Sequence, residues 1–256
     1  MLHVRKEHVV TGTVIHADVQ TSWRLTGVVS LVQGLLIFIP TIVLGQAIGW
    51  PASLGDPASV ALPRLLQQES AVRLGYSAYL VYSMLFAVTI VLLAKLRVGK
   101  SMANVMSIIV GFAIASTVAR SIGIIRWLIP APQLAKTWEL AATDQERYAI
   151  SLAFDLMNAY GGTIGEILGV GLFAAVAVLV LCVAWVQDRS MPKWLVGFGV
   201  IAALWLIATT SEVIGIAPDF IVVFLGTTLI QFWFMAVGIW LLIRSRRVPQ
   251  PTTARS

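Results

Sequence analysis

Residues 161–186 read GGTIGEILGVGLFAAVAVLVLCVAWV, and this stretch decides the fold class. Its 26 residues include one charged side chain, Glu166. An α-helix rises about 1.5 Å per residue, so about 20 apolar residues cross a hydrocarbon layer about 30 Å thick. In lipid a backbone must satisfy its own hydrogen bonds, and a barrel would show short alternating strands instead. Residues 161–186 therefore predict a membrane-spanning helix.

The composition of the whole chain has the same bias. Hydrophobic residues make up 58% of the 256 positions and charged residues 12%. Soluble domains are usually about 45–50% apolar and about 25% charged. The polar residues of this chain are too few to cover a water-exposed surface of that size. We therefore predict an integral membrane protein whose main partner is the lipid bilayer.

Five further stretches are long and apolar enough to cross a bilayer, which predicts an all-α integral membrane bundle of about six transmembrane helices. The predicted spans are residues 25–47, 76–96, 102–129, 161–186, 194–214 and 220–243. The predicted regions are a polar amino-terminal segment 1–22, a transmembrane domain 23–246 and a carboxy-terminal tail 247–256. Whether residues 148–161 continue the fourth helix stays open, because the Gly161-Gly162 pair favours a break.

Basic residues between the spans predict the orientation. An amino terminus inside the cell places twelve Lys and Arg residues on the cytoplasmic side and six on the outer side. Such an excess of basic residues is typical of cytoplasmic loops. We therefore expect a protein of the plasma membrane whose two termini both lie in the cytoplasm. The basic residues form no stripe interleaved with aromatics, which makes nucleic acid an unexpected partner. Tryptophans near the span ends, Trp127 and Trp185 among them, are expected at the lipid headgroups.

Ionisable and polar side chains within the spans, or just before the fourth span, concentrate toward the predicted outer side, and we call this group the outer polar cluster. It consists of Arg120, Arg126, Asp155, Asn158, Glu166 and Glu212. Matched depth and opposite charge predict that Asp155 and Glu166 approach one of the two arginines, facing an outward vestibule. The alternative is that these side chains reach for the headgroups or pin helices together.

Two amides lie near the middle of the first and sixth spans, Gln33 and Gln231. We expect them to bond between helices in preference to binding a substrate. Gly161, Gly165 and Gly169 recur every fourth residue, so they predict a strip that lets another helix approach closely, within the chain or in a second copy.

No motif predicts a conventional active site, and the catalytic residues stay unknown. The histidines, His3, His8 and His16, all precede the first span, and the single cysteine is Cys182 in an apolar run. Neither a metal site nor a cofactor is therefore expected. The sequence has no glycine-rich phosphate loop and no nucleophile elbow.

Four short motifs carry a family resemblance: RLTG at 24–27, ARSI at 119–122, MPKWL at 191–195 followed by Gly199, and GIWLLI at 238–243. In these motifs the chain resembles a bacterial membrane family designated domain of unknown function 4386. The resemblance implies a six-helix membrane protein. It implies no activity, because the family itself has none assigned.

Two functional hypotheses follow. The first is a non-enzymatic component of the plasma membrane that recognises a ligand, assists a partner or takes part in permeation. Its partners would be a hydrophobic or small-molecule ligand, and a second copy or another membrane protein. The alternative is a membrane-embedded enzyme acting on a lipid or isoprenoid, with Asp155, Glu166 or Glu212 as general acid or base.

Overall fold

The computed structural model describes residues 3–96 and 103–246, and within these ranges the chain is helical with no strand. The predicted tail 247–256 and residue 102 of the third predicted span lie outside the described residues. The helices are α1 His3–Leu36, α2 Phe38–Ile48, α3 Ala58–Gln67, α4 Glu69–Lys95, α5 Ala103–Leu128, α6 Pro130–Leu140, α7 Asp144–Gly162, a π-helical segment Thr163–Phe173, α8 Ala174–Asp188, α9 Lys193–Ala208 and α10 Phe220–Ser245. The predicted all-α membrane fold is confirmed.

Five helical stretches of the described chain are long and apolar enough to cross a membrane. They are Gln20–Ile48, Glu69–Lys95, Asn104–Leu140, Asp144–Asp188 and Ile221–Ser245. The fifth predicted span, 194–214, is shorter in the structure, because α9 ends at Ala208 and its 16 residues measure about 24 Å. The hydroxyls of Thr209 and Thr210 donate to carbonyls three residues back, where the helix gives way to a 3-10 turn. The count of six therefore stays a prediction.

The structure answers the open question about residues 148–161 and shows where the first helix begins. The fourth helix does continue through residues 148–161, because α7, the π-helical segment and α8 follow one another without a break at the glycine pair. The first helix begins at His3, so the backbone of the polar segment 1–22 is helical from that residue onward. Pro40 interrupts the first span at Ile37, because its ring displaces the preceding turn of helix.

The helices form a closed ring in which neighbours along the chain are also neighbours in space. Around the ring, α4 packs on α5, α5 on the π-helical segment and α8, α8 on α9, and α9 on α10. The ring closes where α1 packs against both α10 and α4. The contact between α1 and α10 is antiparallel. Contacts recur every seven residues, so that moving seven residues forward along α1 corresponds to moving seven residues back along α10. Gln20 meets Ser245, Gly27 meets Gly238 and Gly34 meets Gln231.

The two ends of the bundle differ. We call the end that carries Gln20, Lys95, Asp188 and Ser245 the loop end, because short connections join the helices there. At the opposite end, which we call the capped end, α3, α6 and α7 pack over the bundle around a second hydrophobic cluster. The main apolar core fills the interior toward the loop end.

Trp127 and Trp185 belong to these two cores, and the expectation that they lie at the headgroups is wrong. Trp127 is 4% exposed and stacks on Tyr76, while Trp185 is fully buried against Trp233. Each lies near a helix end, but other helices cover it. Chain position alone does not reveal such a covering neighbour.

Candidate functional site

At the capped end, Arg126 and Glu166 form an ion pair that joins α5 to the π-helical segment. The Arg126 Nη2 to Glu166 Oε1 distance is 3.2 Å, and Arg126 Nη1 also donates to the carbonyl of Gly123 at 3.1 Å. The Arg126 side chain is 6% exposed, whereas that of Glu166 is 55% exposed. Glu166 lies about 30 Å along its helix from Asp188, which is about one hydrocarbon thickness. The carboxylate therefore emerges near a membrane boundary.

Glycines create the space for this buried arginine. A Cβ atom at Gly161 would lie 2.9 Å from Cδ of Arg126, and one at Gly165 would lie 2.9 Å from the Cα of Gly123. A Cβ at Gly169 would similarly meet the backbone nitrogen of Arg120 at 2.8 Å. The predicted glycine strip thus lies against α5 of the same chain. Its spacing brings both arginines against the backbone of the fourth span.

Three buried polar atoms at the capped end have no hydrogen-bond partner among the described residues. They are Arg126 Nε, the hydroxyl oxygen of Tyr76 and Oδ1 of Asn158. Tyr76 stacks on Trp127, and Asn158 donates from Nδ2 to the carbonyl of Leu54 at 2.9 Å. The first atom donates, the last accepts and the hydroxyl does both. The surroundings of the ion pair therefore keep hydrogen-bonding capacity that the protein itself does not use.

Arg120 has a different environment, although it also lies on α5 and is 4% exposed. Its Nε donates to the carbonyl of Gly169 over a long 3.4 Å, and Ser116 donates to the same carbonyl at 2.7 Å. The guanidinium carbon lies 4.4 Å from the centre of the Phe86 ring and 5.9 Å from that of Tyr82. Among the residues that the structure describes, no carboxylate oxygen lies within 4.0 Å of this guanidinium.

The two amides near the middle of the spans, Gln33 and Gln231, also differ from each other in their hydrogen bonding. Gln231 donates from Nε2 to the hydroxyl of Tyr82 at 2.6 Å, which joins α10 to α4. Gln33 is fully buried, and neither its amide nitrogen nor its oxygen has a hydrogen-bond partner in the part of the chain that the structure describes. Gln33, Tyr82 and Gln231 each lie about 20 Å from the loop end of their helices. We call these three residues and Arg120 the mid-bundle layer.

The outer polar cluster is therefore not one cluster. Glu166 pairs with Arg126, and Glu212, on the exposed turn Ser211–Ile214, lies close enough for its charge to act on Glu166. Asp155 is exposed and makes no ion pair within 4.0 Å in the described part of the chain, and Arg120 points into the mid-bundle layer. Sequence reasoning missed Tyr76 and Tyr82, whose roles depend on packing between helices.

No set of three His, Cys, Asp or Glu side chains in the described residues has the geometry of a metal site. The three histidines fall where the structure describes only the backbone of α1. Cys182 is buried in the main core.

Comparison with known protein families gives a match that covers the whole helical bundle. A family model described as a domain of unknown function, DUF4386, matches residues 25–245. The chain belongs to this family. The DUF4386 match runs from the first span to the last and contains both arginines, the exposed carboxylates and the two amides. No curated protein and no solved structure matches the chain. Membership of DUF4386 brings no activity with it, so function has to be argued from the site.

Proposed function

We propose that this protein is a non-enzymatic component of the plasma membrane that recognises a ligand at its capped end, with both termini in the cytoplasm. Twelve of its eighteen basic residues then lie on the cytoplasmic side, as membrane insertion favours. The contact between Gln20 and the carbonyl of Ser245 supports placing both termini on the same side of the membrane, because the first and last spans meet at the loop end. The capped end, with Glu166, then faces outward.

The observation that carries the proposal is the asymmetry of the ion pair. Arg126 is buried, while more than half of the Glu166 side chain is exposed. Glu166 uses one oxygen for Arg126, and the nearby Glu212 adds a second negative charge. Two carboxylates and one arginine leave a net negative charge beside apolar helices. A small organic cation with an apolar portion fits that combination.

Recognition fits the site better than permeation or catalysis does. A permeation path needs polar groups through the whole bundle, whereas the interior toward the loop end is filled by an apolar core. Catalysis by Glu166 would require the carboxylate to transfer a proton while it also neutralises a permanently charged arginine. A recognition site needs no such change.

The test uses purified protein in lipid nanodiscs with choline as probe and its uncharged isostere 3,3-dimethylbutanol as control. We expect choline to bind in ligand-detected NMR and the isostere not to bind. Glu166→Gln should weaken choline binding at least about tenfold, a change of about 1.4 kcal/mol. Asp155→Asn removes an exposed carboxylate on the same helical stretch and should leave binding unchanged. Equal binding of choline by wild type and Glu166→Gln would contradict the proposal.

One observation favours the alternative of a lipid-acting enzyme. Glu166 lies in the π-helical segment Thr163–Phe173, and π-helical geometry often marks functional sites. Incubating the protein with a lipid extract, followed by mass spectrometry, tests this alternative. A new product that Glu166→Gln abolishes and Asp155→Asn preserves would replace recognition by catalysis.

A further inference from the structure

The mid-bundle layer contains a buried positive charge without a negative partner. Arg120 is 4% exposed, and its guanidinium carries a charge that proteins do not remove. Within the described chain no carboxylate lies within 4.0 Å of it. A buried cation is stable only when something compensates its charge. The groups around Arg120 therefore indicate what kind of partner could compensate its charge.

The guanidinium uses little of its hydrogen-bonding capacity. Of its five N–H donors, the described residues engage only the one on Nε, through the carbonyl of Gly169 at 3.4 Å. The two terminal nitrogens make no hydrogen bond to any described residue, and the face of Phe86 lies beside them. An aromatic face attracts a cation but offers no acceptor in the plane of the N–H groups. Four donors thus remain for an acceptor that the protein does not supply.

Tyr82 provides a further donor in the same layer. Its ring lies beside Arg120, and its hydroxyl oxygen accepts a hydrogen bond from Gln231 at 2.6 Å. The hydroxyl hydrogen itself is given to no described residue. A guanidinium and a phenol hydroxyl are both donors, so together they favour an acceptor that also carries negative charge.

We propose that Arg120 binds a small monovalent anion of the halide class in the mid-bundle layer, with Tyr82 as a second donor. A single arginine matches a single negative charge. The rings of Phe86 and Tyr82 have their centres 4.4 Å and 5.9 Å from the guanidinium carbon, so a small ion fits beside it better than a bulky one. Water would satisfy the N–H groups but would leave the charge uncompensated, which is why an anion is favoured. This site is separate from the Arg126–Glu166 pair and does not depend on what binds there.

The experiment measures thermal unfolding of the full-length protein in nanodiscs at fixed ionic strength. Sodium chloride or bromide replaces sodium gluconate in steps. We expect a saturable rise in Tm with either halide, and Arg120→Gln should abolish it. Arg126→Gln is the matched control, because Arg126 already has a carboxylate partner, and it should keep the halide response. A wild-type Tm that is independent of halide, or an equal response in Arg120→Gln, overturns the proposal and leaves the rings of Phe86 and Tyr82 and the carbonyl of Gly169 to compensate the charge.

A second pair of measurements applies even if Arg120→Gln does not fold. Tyr82→Phe keeps the ring and removes the hydroxyl, so the halide concentration for half-saturation should rise about tenfold. Crystals of the wild type grown in bromide should show anomalous scattering within hydrogen-bonding distance of the Arg120 guanidinium. Absence of that peak at saturating bromide also overturns the proposal.

Discussion

Arg120 and Arg126 lie six residues apart on α5, yet their charges are compensated in different ways. Arg126, at the capped end, has a carboxylate partner whose other side reaches the surface. Arg120, in the mid-bundle layer, has aromatic faces and one backbone carbonyl. The difference follows depth, because a carboxylate is tolerated near the membrane boundary and is costly further inside. Glycines of the fourth span serve both arginines, so substitutions can disturb them together or one at a time.

The largest effect is expected from Gly165→Leu, which disturbs both regions. A side chain there would collide with the backbone of Gly123, which cannot move aside easily. We expect a loss of about 3 kcal/mol in unfolding free energy, at the upper end of overpacking effects. Denaturation in mixed micelles measures the loss. Gly111→Leu is the control, since beyond its own chain neighbours and its own stretch of helix backbone no atom lies within 4 Å of a Cβ at Gly111. Similar losses in both variants would show that the helices do not approach closely at Gly165.

Next in size is Glu166→Leu, which affects the capped end alone. It leaves Arg126 buried without its partner, and we expect a loss of about 2 kcal/mol, less than for a fully buried pair because Glu166 is half-exposed. The double variant Arg126→Leu with Glu166→Leu should recover at least half of that loss. The same micelle titration applies, with Asp155→Leu as a control that should change stability by less than about 0.5 kcal/mol. A double variant as unstable as the two single changes combined would mean that the residues are not coupled.

A smaller effect, of opposite sign, is expected in the mid-bundle layer. Gln33→Leu removes a buried amide that has no partner, and we expect a gain of about 1 kcal/mol. Gln231→Leu should instead cost about 1 kcal/mol, because it breaks the hydrogen bond to Tyr82. Thermal unfolding of both variants in nanodiscs compares the two amides directly. A destabilising effect of Gln33→Leu would show that the amide makes a stabilising hydrogen bond in the membrane.

The smallest effect is expected from Tyr76→Phe. The hydroxyl of Tyr76 is buried without a partner, so its removal should change stability by less than about 0.5 kcal/mol. Tyr82→Phe, which loses a hydrogen bond, should cost about 1 kcal/mol. The difference between their melting temperatures is the measurement. A larger loss in Tyr76→Phe than in Tyr82→Phe would reverse the ranking of the two hydroxyls.

The sequence predicted the membrane fold and one ion pair correctly. Both predictions depend on features that can be read from one helix at a time, namely apolar length and the depth and charge of each side chain. Apolar length identifies spans, and matched depth with opposite charge brings Glu166 to Arg126. The same argument grouped Asp155 with Glu166, but Asp155 makes no ion pair within 4.0 Å in the described residues. The π-helical segment begins at Thr163, between those two residues, and its wider turn changes the face on which later side chains lie.

The surroundings of Arg120 were beyond sequence reasoning because they come from other helices. Phe86 and Tyr82 belong to α4, and nothing in their spacing distinguishes them from ordinary core residues. The same holds for Trp185. Its position near a helix end suggests exposure, but Trp233 from another helix packs against it. The length of α9 also depends on local bonding, since the hydroxyls of Thr209 and Thr210 bond to the last carbonyls of that helix.

The seam between α1 and α10 has a consequence for biosynthesis. The first helix to enter the membrane finds its most extensive partner only after about 200 further residues have been made. At about 5–20 residues per second this takes about 10 to 40 s. During that interval the face of α1 that carries Gly27 and Gly34 contacts lipid or an insertion factor instead of its own chain. The ring of helices therefore closes only when α10 has been synthesised, and a chain truncated before α10 would form an open bundle.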